Sequence, residues 1–185
     1  MAETIVETER LILRTWCDDD LVPFHAMCSD ERIMATLGPL MDRTETAALI
    51  EKLRWHQVTN GHCFWALESC SGGRFLGFCG LIRANVGPTA GKLEVGWRIV
   101  HDAWGQGYAR EAASSSLDWG FANLPDDDIW AITTPGNTRS WGLMERLGMQ
   151  RQQDLDLDHP NVPDDSPLKR HITYCIRRPA VAGKL

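Results

Sequence analysis

Between residues 9 and 16 the chain reads ERLILRTW, apolar and polar positions in near alternation. A period of two turns one side of a strand toward a core, so this stretch predicts a first strand, placed at a sheet edge. Asp18, Asp19 and Asp20 follow and offer N-cap chemistry for a helix running to about Met27. From Thr44 to Gln57 the residues Ala47, Ala48, Leu49, Leu53 and Trp55 fall mostly at helical spacing, which predicts a second helix. CFWALES (63–69) and RFLGFCGLIR (74–83) read as two strands of a hairpin around the SGG turn at 71–73. A loop at 84–92 leads into KLEVGWRIV (92–100), a strand interrupted by Gly96, where the pattern predicts a bulge.

The pattern then shifts. AWGQGYAREA (103–112) opens a helix that runs to about Asn123, and PDDD (125–128) is a turn. IWAITTP (129–135) is the next strand. Asn137 caps a helix to Leu147, and Gly148 suits the left-handed position that ends it. MQRQQDLDL (149–157) predicts a returning strand, HPNVPDDSP (159–167) an irregular segment, and KRHITYCIRR (169–178) a last strand. The order β-α-α-β-β-β-α-β-α-β-β predicts an α/β (α+β) fold with helices covering a mixed sheet. No internal repeat or linker divides the 185 residues, so a single domain over 1–185 is expected.

Gly105 and Gly107 raise a chemical question. Glycine costs roughly 1 kcal/mol in a helix interior relative to alanine, yet two stand where a helix begins. A strand that ends in a glycine turn before a helix is an anion site, because the first helical amides lack partners and the dipole favours negative charge. The alternative is a tight turn with no ligand. GxGxxG fails because Arg110 stands where a third Gly or Ala is needed, and a phosphate loop of the GxxxxGK[ST] type fails at Val86 and Leu93.

Composition narrows the field. A net charge of −6 argues against general nucleic-acid binding. No apolar run reaches the ~20 residues of a membrane span. The polar start MAETIVETER does not read as a secretory signal, and six scattered cysteines without a CxxC pair read as free thiols in a reducing cytoplasm. No zinc spacing is present, so no metal is expected.

VGWRIVHDAWGQGYAREA resembles the acyl-CoA loop of the GNAT superfamily of N-acetyltransferases, whose pattern is Gln/Arg-x-x-Gly-x-Gly/Ala; here the first position holds Trp104. The aromatic-Gly-x-Gly-Tyr-Ala run followed by Glu111-Ala112 is similar to the Rim-type branch, named for enzymes that acetylate ribosomal-protein N-termini. TERLILR, GFCGLIR and NTRSWGLMERLGM extend the likeness to the family's first strand, central hairpin and second motif. The resemblance implies a mostly antiparallel sheet splayed at a central bulged strand. It implies that acetyl-CoA is held at Trp104, Gly105, Gln106, Gly107, Tyr108 and Ala109, with pantetheine paired to the backbone of Ile99 and Val100. Asn137 is either a further CoA contact or purely an N-cap.

The resemblance also implies the reaction, in which a primary amine attacks the thioester. Ser140 stands where Rim-type enzymes protonate the departing thiolate; the tyrosine position four residues on is Met144. The bland reading of Ser140 is a small residue on the helix face. Glu94 is one candidate base and His159, in DLDHPNVP, its rival; a solvated strand residue and a loop histidine are the alternatives. Asp154, Asp156, Asp158, Asp164 and Asp165 either steer a cationic amine or form a solvated acidic loop. Trp16, Phe24, Met34, Leu37, Trp55 and Trp65 wall the acceptor pocket or fill the core. The expected function is acetyl transfer to a protein N-terminus, a polyamine or a small amine, in a form compatible with a homodimer. A non-catalytic acyl-CoA-binding module is the second reading, and a nucleotide-binding protein a third.

Overall fold

The computed structural model describes residues 2–179. Its strands are β1 (Thr4–Glu7), β2 (Leu11–Arg14), β3 (Phe64–Ser69), β4 (Phe75–Arg83), β5 (Leu93–Ile99), β6 (Asp128–Thr133), β7 (Gln150–Arg151), β8 (Leu157–Asp158) and β9 (Arg170–Arg177). Its helices are α1 (Leu21–Cys28), α2 (Glu31–Met34), α3 (Arg43–Asn60), α4 (Tyr108–Asn123) and α5 (Thr138–Arg146). The sheet runs β1-β2-β3-β4-β5-β6-β9-β7, with β8 also on β9. Every pairing is antiparallel except β5 with β6, which are parallel and meet at the single pair Glu94–Trp130.

That single parallel contact creates the site. The two strands are joined at Glu94; beyond it they diverge, and a V opens in the sheet. The ladder between β4 and β5 stays in one register from Arg83–Leu93 to Gly77–Ile99. The bulge expected at Gly96 is therefore absent from that ladder. A different constraint selects glycine there: a Cβ on Gly96 would lie 2.6 Å from Cζ of Phe64, whose ring packs over the bare backbone.

Local rules account for most elements. The Asp42 side chain accepts from the Glu45 N–H at 2.8 Å while the Glu45 carboxylate accepts from the Asp42 N–H, a reciprocal cap that starts α3 one residue before the expected Thr44. Gly61, at φ 75°, ends it. The three aspartates behave less simply. Asp18–Asp20 forms a 3₁₀ turn, and the buried Asp20 carboxylate accepts from the Cys17 N–H and from both Arg14 terminal nitrogens. The Arg14 guanidinium and these hydrogen bonds outweigh burial and hold the Asp20 carboxyl below its usual range.

Three expectations fail on tertiary grounds. The strand at 9–16 is not an edge strand, because β1 pairs outside it. The returning strand expected at 149–157 is broken: Gln150 faces Cys175, but Leu157 faces His171, so the intervening residues loop out as a 3₁₀ turn at Gln153–Leu155. The Asp156 carboxylate fastens that loop, accepting from Arg151 and from the Thr173 N–H. Trp55 is 59% exposed on α3 rather than core, whereas Trp16, Phe24, Met34 and Trp65 are buried.

Candidate active site

The two faces of β5 divide the labour around the V. Side chains alternate along a strand. Leu93, Val95 and Ile99 are buried toward α4, where Val95 packs with Leu117 of α4 and Met144 of α5. Glu94, Gly96 and Arg98 project from the opposite face, beside Phe64 and Phe78 and toward the end of α1. A cleft of about 1100 Å³ runs through the V and takes in both sides: Glu94 to Ile99, Thr133, Asn137, Ser140 and Met144 all line it.

Main-chain polarity alternates as well. The Val100 N–H donates to Leu76 O at 2.9 Å. In an antiparallel ladder this fixes the phase: Gly96 and Arg98 also aim their N–H and C=O groups at β4, while Trp97 and Ile99 aim theirs into the V. The Ile99 carbonyl is taken by the Trp104 indole N–H at 2.8 Å, which leaves the Ile99 N–H and both groups of Trp97 as the open edge. The Val100 N–H is bound to Leu76 O and its carbonyl accepts from Ala103 at 3.1 Å. The open main-chain groups of Trp97 become legible only once the ladder phase is known.

At the top of the V sits the glycine corner. Gly105 and Gly107 have φ of 76° and 84°, the left-handed region that glycine enters without strain. Gly107 supplies no side-chain cap to α4, and the first helical bond is Glu111 N–H to Gly107 O. Among the described residues no acceptor meets the N–H groups of Gly105 through Arg110. Six successive donors at a helix start, with the dipole behind them, form an anion seat. A Cβ on Gly105 would meet nothing within 4 Å, so the approach is open.

Two side chains brace this corner from behind. Arg10 donates to Gln106 O at 2.9 Å and pairs with Glu111 at 2.6 Å, and its guanidinium covers the Tyr108 ring. Glu111 also accepts from the Thr8 hydroxyl at 2.6 Å and the Arg10 N–H at 3.0 Å. Gln106 itself does not line the cleft; its side chain donates to Asp102 O at 3.0 Å. Arg139 of α5 lies 4.4 Å from the Trp104 ring centre, tying the corner to the far wall.

Of the proton-handling candidates, Glu94 and Ser140 share the cleft and His159 does not. Glu94 lies at the point of the V with part of its surface open to the cleft. The surrounding protein desolvates it, and burial pushes its carboxyl up to about 7. A carboxyl titrating there can accept a proton at neutral pH. The Ser140 N–H is held by the Asn137 side-chain carbonyl at 3.3 Å, the expected N-cap, and this points the first turn of α5 at the V. Of the two tyrosines, Tyr174 is engaged with Glu145 at 3.2 Å and only Tyr108 lines the cleft. Met144, where a tyrosine would otherwise stand, is buried.

His159 is carried away by β8, which joins the start of β9; its ring lies tilted against that of His171, centroids 5.0 Å apart, and its backbone N–H binds Lys169 O. Burial, with Lys169 nearby, pushes its pKa below the usual value. The acidic cluster is also elsewhere. Asp156 pairs with Arg151, Asp158 with Arg170 and Asp164 with Lys169, and neither these nor Asp154 and Asp165 line the cleft. Among the described residues no cluster of three or more His, Cys, Asp or Glu is arranged to hold a metal, no helix is long and apolar enough to cross a membrane, and all six cysteines are free.

Residues 10–150 match the family model described as an acetyltransferase (GNAT) domain. The chain belongs to the GNAT acetyltransferases. It is an acetyl-CoA-dependent N-acetyltransferase, and the free amides, the open strand edge and the bare glycine corner fit acetyl-CoA as co-substrate. It is 32% identical to YkkB of Bacillus subtilis, an uncharacterized protein, over 83% of this chain and 90% of that one. The spermidine N-acetyltransferase of Vibrio cholerae, solved with CoA and spermine, aligns over 92% of this chain and 96% of its own at TM-score 0.71 and 19% identity. RimL, a ribosomal L7/L12 alpha-N-protein acetyltransferase solved with CoA, aligns over 95% and 98% at TM-score 0.75 and 12% identity.

Proposed function

We propose that this protein acetylates a primary amine by direct attack on acetyl-CoA within a ternary complex. The observation that carries this reading is one cleft with six unpartnered amides at its mouth and a carboxyl near 7 at its floor. The amides of Gly105 to Arg110 hold the pyrophosphate. Pantetheine adds to β5 as a partial strand along Trp97 and the Ile99 N–H, which delivers the thioester toward Glu94.

Glu94, directly or through water, takes a proton from the incoming ammonium. The amine nitrogen bonds to the thioester carbon as the carbonyl π pair moves to oxygen, giving an oxyanion beside the free β5 amides, and the C–S bond breaks as that oxyanion collapses. The amine's remaining surplus proton leaves for solvent, and Ser140 gives its hydroxyl proton to the departing thiolate, regaining one from water. The products are an N-acetyl amide and CoA thiol. The Ser140 hydroxyl suits this role because it opens to the cleft without an intramolecular partner among the described residues.

The test is thiol release from acetyl-CoA across N-terminal peptides, polyamines and aminoglycosides. Turnover with at least one class is expected, and Ser140→Ala should lower kcat while leaving the Kd for CoA nearly unchanged. Tight CoA binding with no turnover in any class would instead support a non-catalytic acyl-CoA-binding module. Preference for ATP or NAD over CoA would refute both.

A further inference from the structure

Acetyl transfer as described gives Arg98 of the cleft no task. Arg98 projects from the same face of β5 as Glu94. Its Nε is a buried donor with no acceptor among the described residues. Its Nη1 meets only the Cys28 thiol sulphur, at 3.3 Å, and the guanidinium lies 5.3 Å from the Phe78 ring centre. Other arginines of the chain are treated differently: Arg10, Arg14, Arg32, Arg83 and Arg151 each pair with a carboxylate. A buried donor with an unmade hydrogen bond is costly to keep unless something arrives to complete it.

The charge balance of the cleft points the same way. Five arginines line it against one carboxylate, Glu94, in a chain whose net charge is −6. Arg110, Arg139 and Arg146 belong to α4 and α5, on the side of the amide row, and Arg32 is already held by Asp30 at 2.6 Å. Arg98 stands apart from these, lining the cleft on the face that Phe64 and Phe78 share.

Resting on the acetyltransferase reading above, we propose that the acceptor is a small primary amine bearing a carboxylate, with the amine at Glu94 and the carboxylate on the Arg98 guanidinium. Four residues of strand separate the two backbones by about 13 Å. Gly96, between them, leaves bare backbone and the Phe64 ring as an apolar floor for the segment joining the two groups. A diamine would set its second ammonium against Arg98 instead.

Thiol release is measured with three series of equal chain length: ω-amino acids, their ω-amino amides and α,ω-diamines. The parent, Arg98→Gln and Arg98→Lys are compared. The parent should favour the amino acids by about tenfold or more in kcat/KM, expressed mainly in KM. Arg98→Gln should lose that preference and Arg98→Lys keep part of it, with CoA affinity reporting an intact cleft. Amides or diamines equal to the amino acids in the parent overturn the proposal, whether or not a variant folds. If no amine turns over, the three series are titrated into the CoA-saturated parent by calorimetry. Selective binding of the amino acids then upholds the anion seat while the transferase reading fails, and equal or absent binding overturns the seat.

Discussion

Replacing Glu94 by glutamine tests one cause through two independent effects. The folded carboxyl titrates at about 7 because burial disfavours its charge, against 4.5 for the free group. At 1.36 kcal/mol for each tenfold change in proton affinity, that gap is worth at most about 3 kcal/mol, since Glu94 keeps some contact with solvent. The sign follows from which state holds the proton. Between 4.5 and 7 the folded chain binds it more tightly than the unfolded chain, so stability from this group is full below 4.5 and is lost as pH rises through 7. Glutamine does not titrate. Relative to the parent, Glu94→Gln should gain up to about 3 kcal/mol between pH 4.5 and 8, or roughly 6–12 °C in Tm for a chain of this size. Thermal unfolding followed by circular dichroism across that range reads the difference directly. The second effect is catalytic: parent kcat/KM should rise through about pH 7, and the variant should lose about a hundredfold at neutral pH together with that acid limb. Equal Tm differences at pH 5 and pH 8, or an acid limb that survives in the variant, would refute a desolvated base at this position.

Other expectations address the cofactor corner and the floor. Gly107→Leu should weaken CoA binding at least tenfold by calorimetry, because φ is 84° and any side chain would crowd the amide row and Arg10, 3.3 Å from a Cβ there. Glu111→Gln removes the anionic partner of Arg10 and should raise the Kd for CoA several-fold while kcat at saturation changes little, since only the brace behind Gln106 is loosened. Gly96→Ala should cost about 1–3 kcal/mol in urea unfolding, the usual range for an overpacked site, and Phe64→Leu in the same chain should recover part of it.

What the sequence disclosed, and what it withheld, follow from how far each signal reaches along the chain. Caps and glycine corners are local. Asn137, Gly148, Gly105 and Gly107 behave as the pattern predicted because their geometry depends on residues two to four positions away. The hairpin of β3 and β4 was legible for the same reason. The phase of β5 was not. Whether Ile99 or Val100 offers its amide depends on which residue of β4 lies opposite, a relation set by pairing rather than by composition. Gly96 misled because an interrupted strand suggests a bulge, whereas the cause is a ring contributed by Phe64, 32 residues earlier. His159 and the five aspartates looked chemical together, yet each aspartate with a cation nearby had already found it. Only the three-residue slip between β7 and β8 shows where that loop goes. Arg98 gave no signal at all, since an arginine in a strand is ordinary until its partner proves missing.

The period of two in β5 then has a consequence larger than strand formation. On the proposed reading, one strand presents main chain to the cofactor and side chains to the acceptor without letting them interfere. The parallel contact at Glu94–Trp130 ends just where this becomes necessary, so the N–H groups of Trp97 and Ile99 lose a strand partner and become an edge. The even-numbered positions, whose backbone stays satisfied by β4, are free to carry chemistry in their side chains: Glu94 a titrating carboxyl, Gly96 clearance, Arg98 a cation. A register slip of one residue between β4 and β5 would exchange these roles, turning Val95 into the cleft and burying Glu94 against Leu117 and Met144. The unbroken ladder with β4 through Gly96 is for that reason a requirement of the site, and the bulge expected there would have destroyed it.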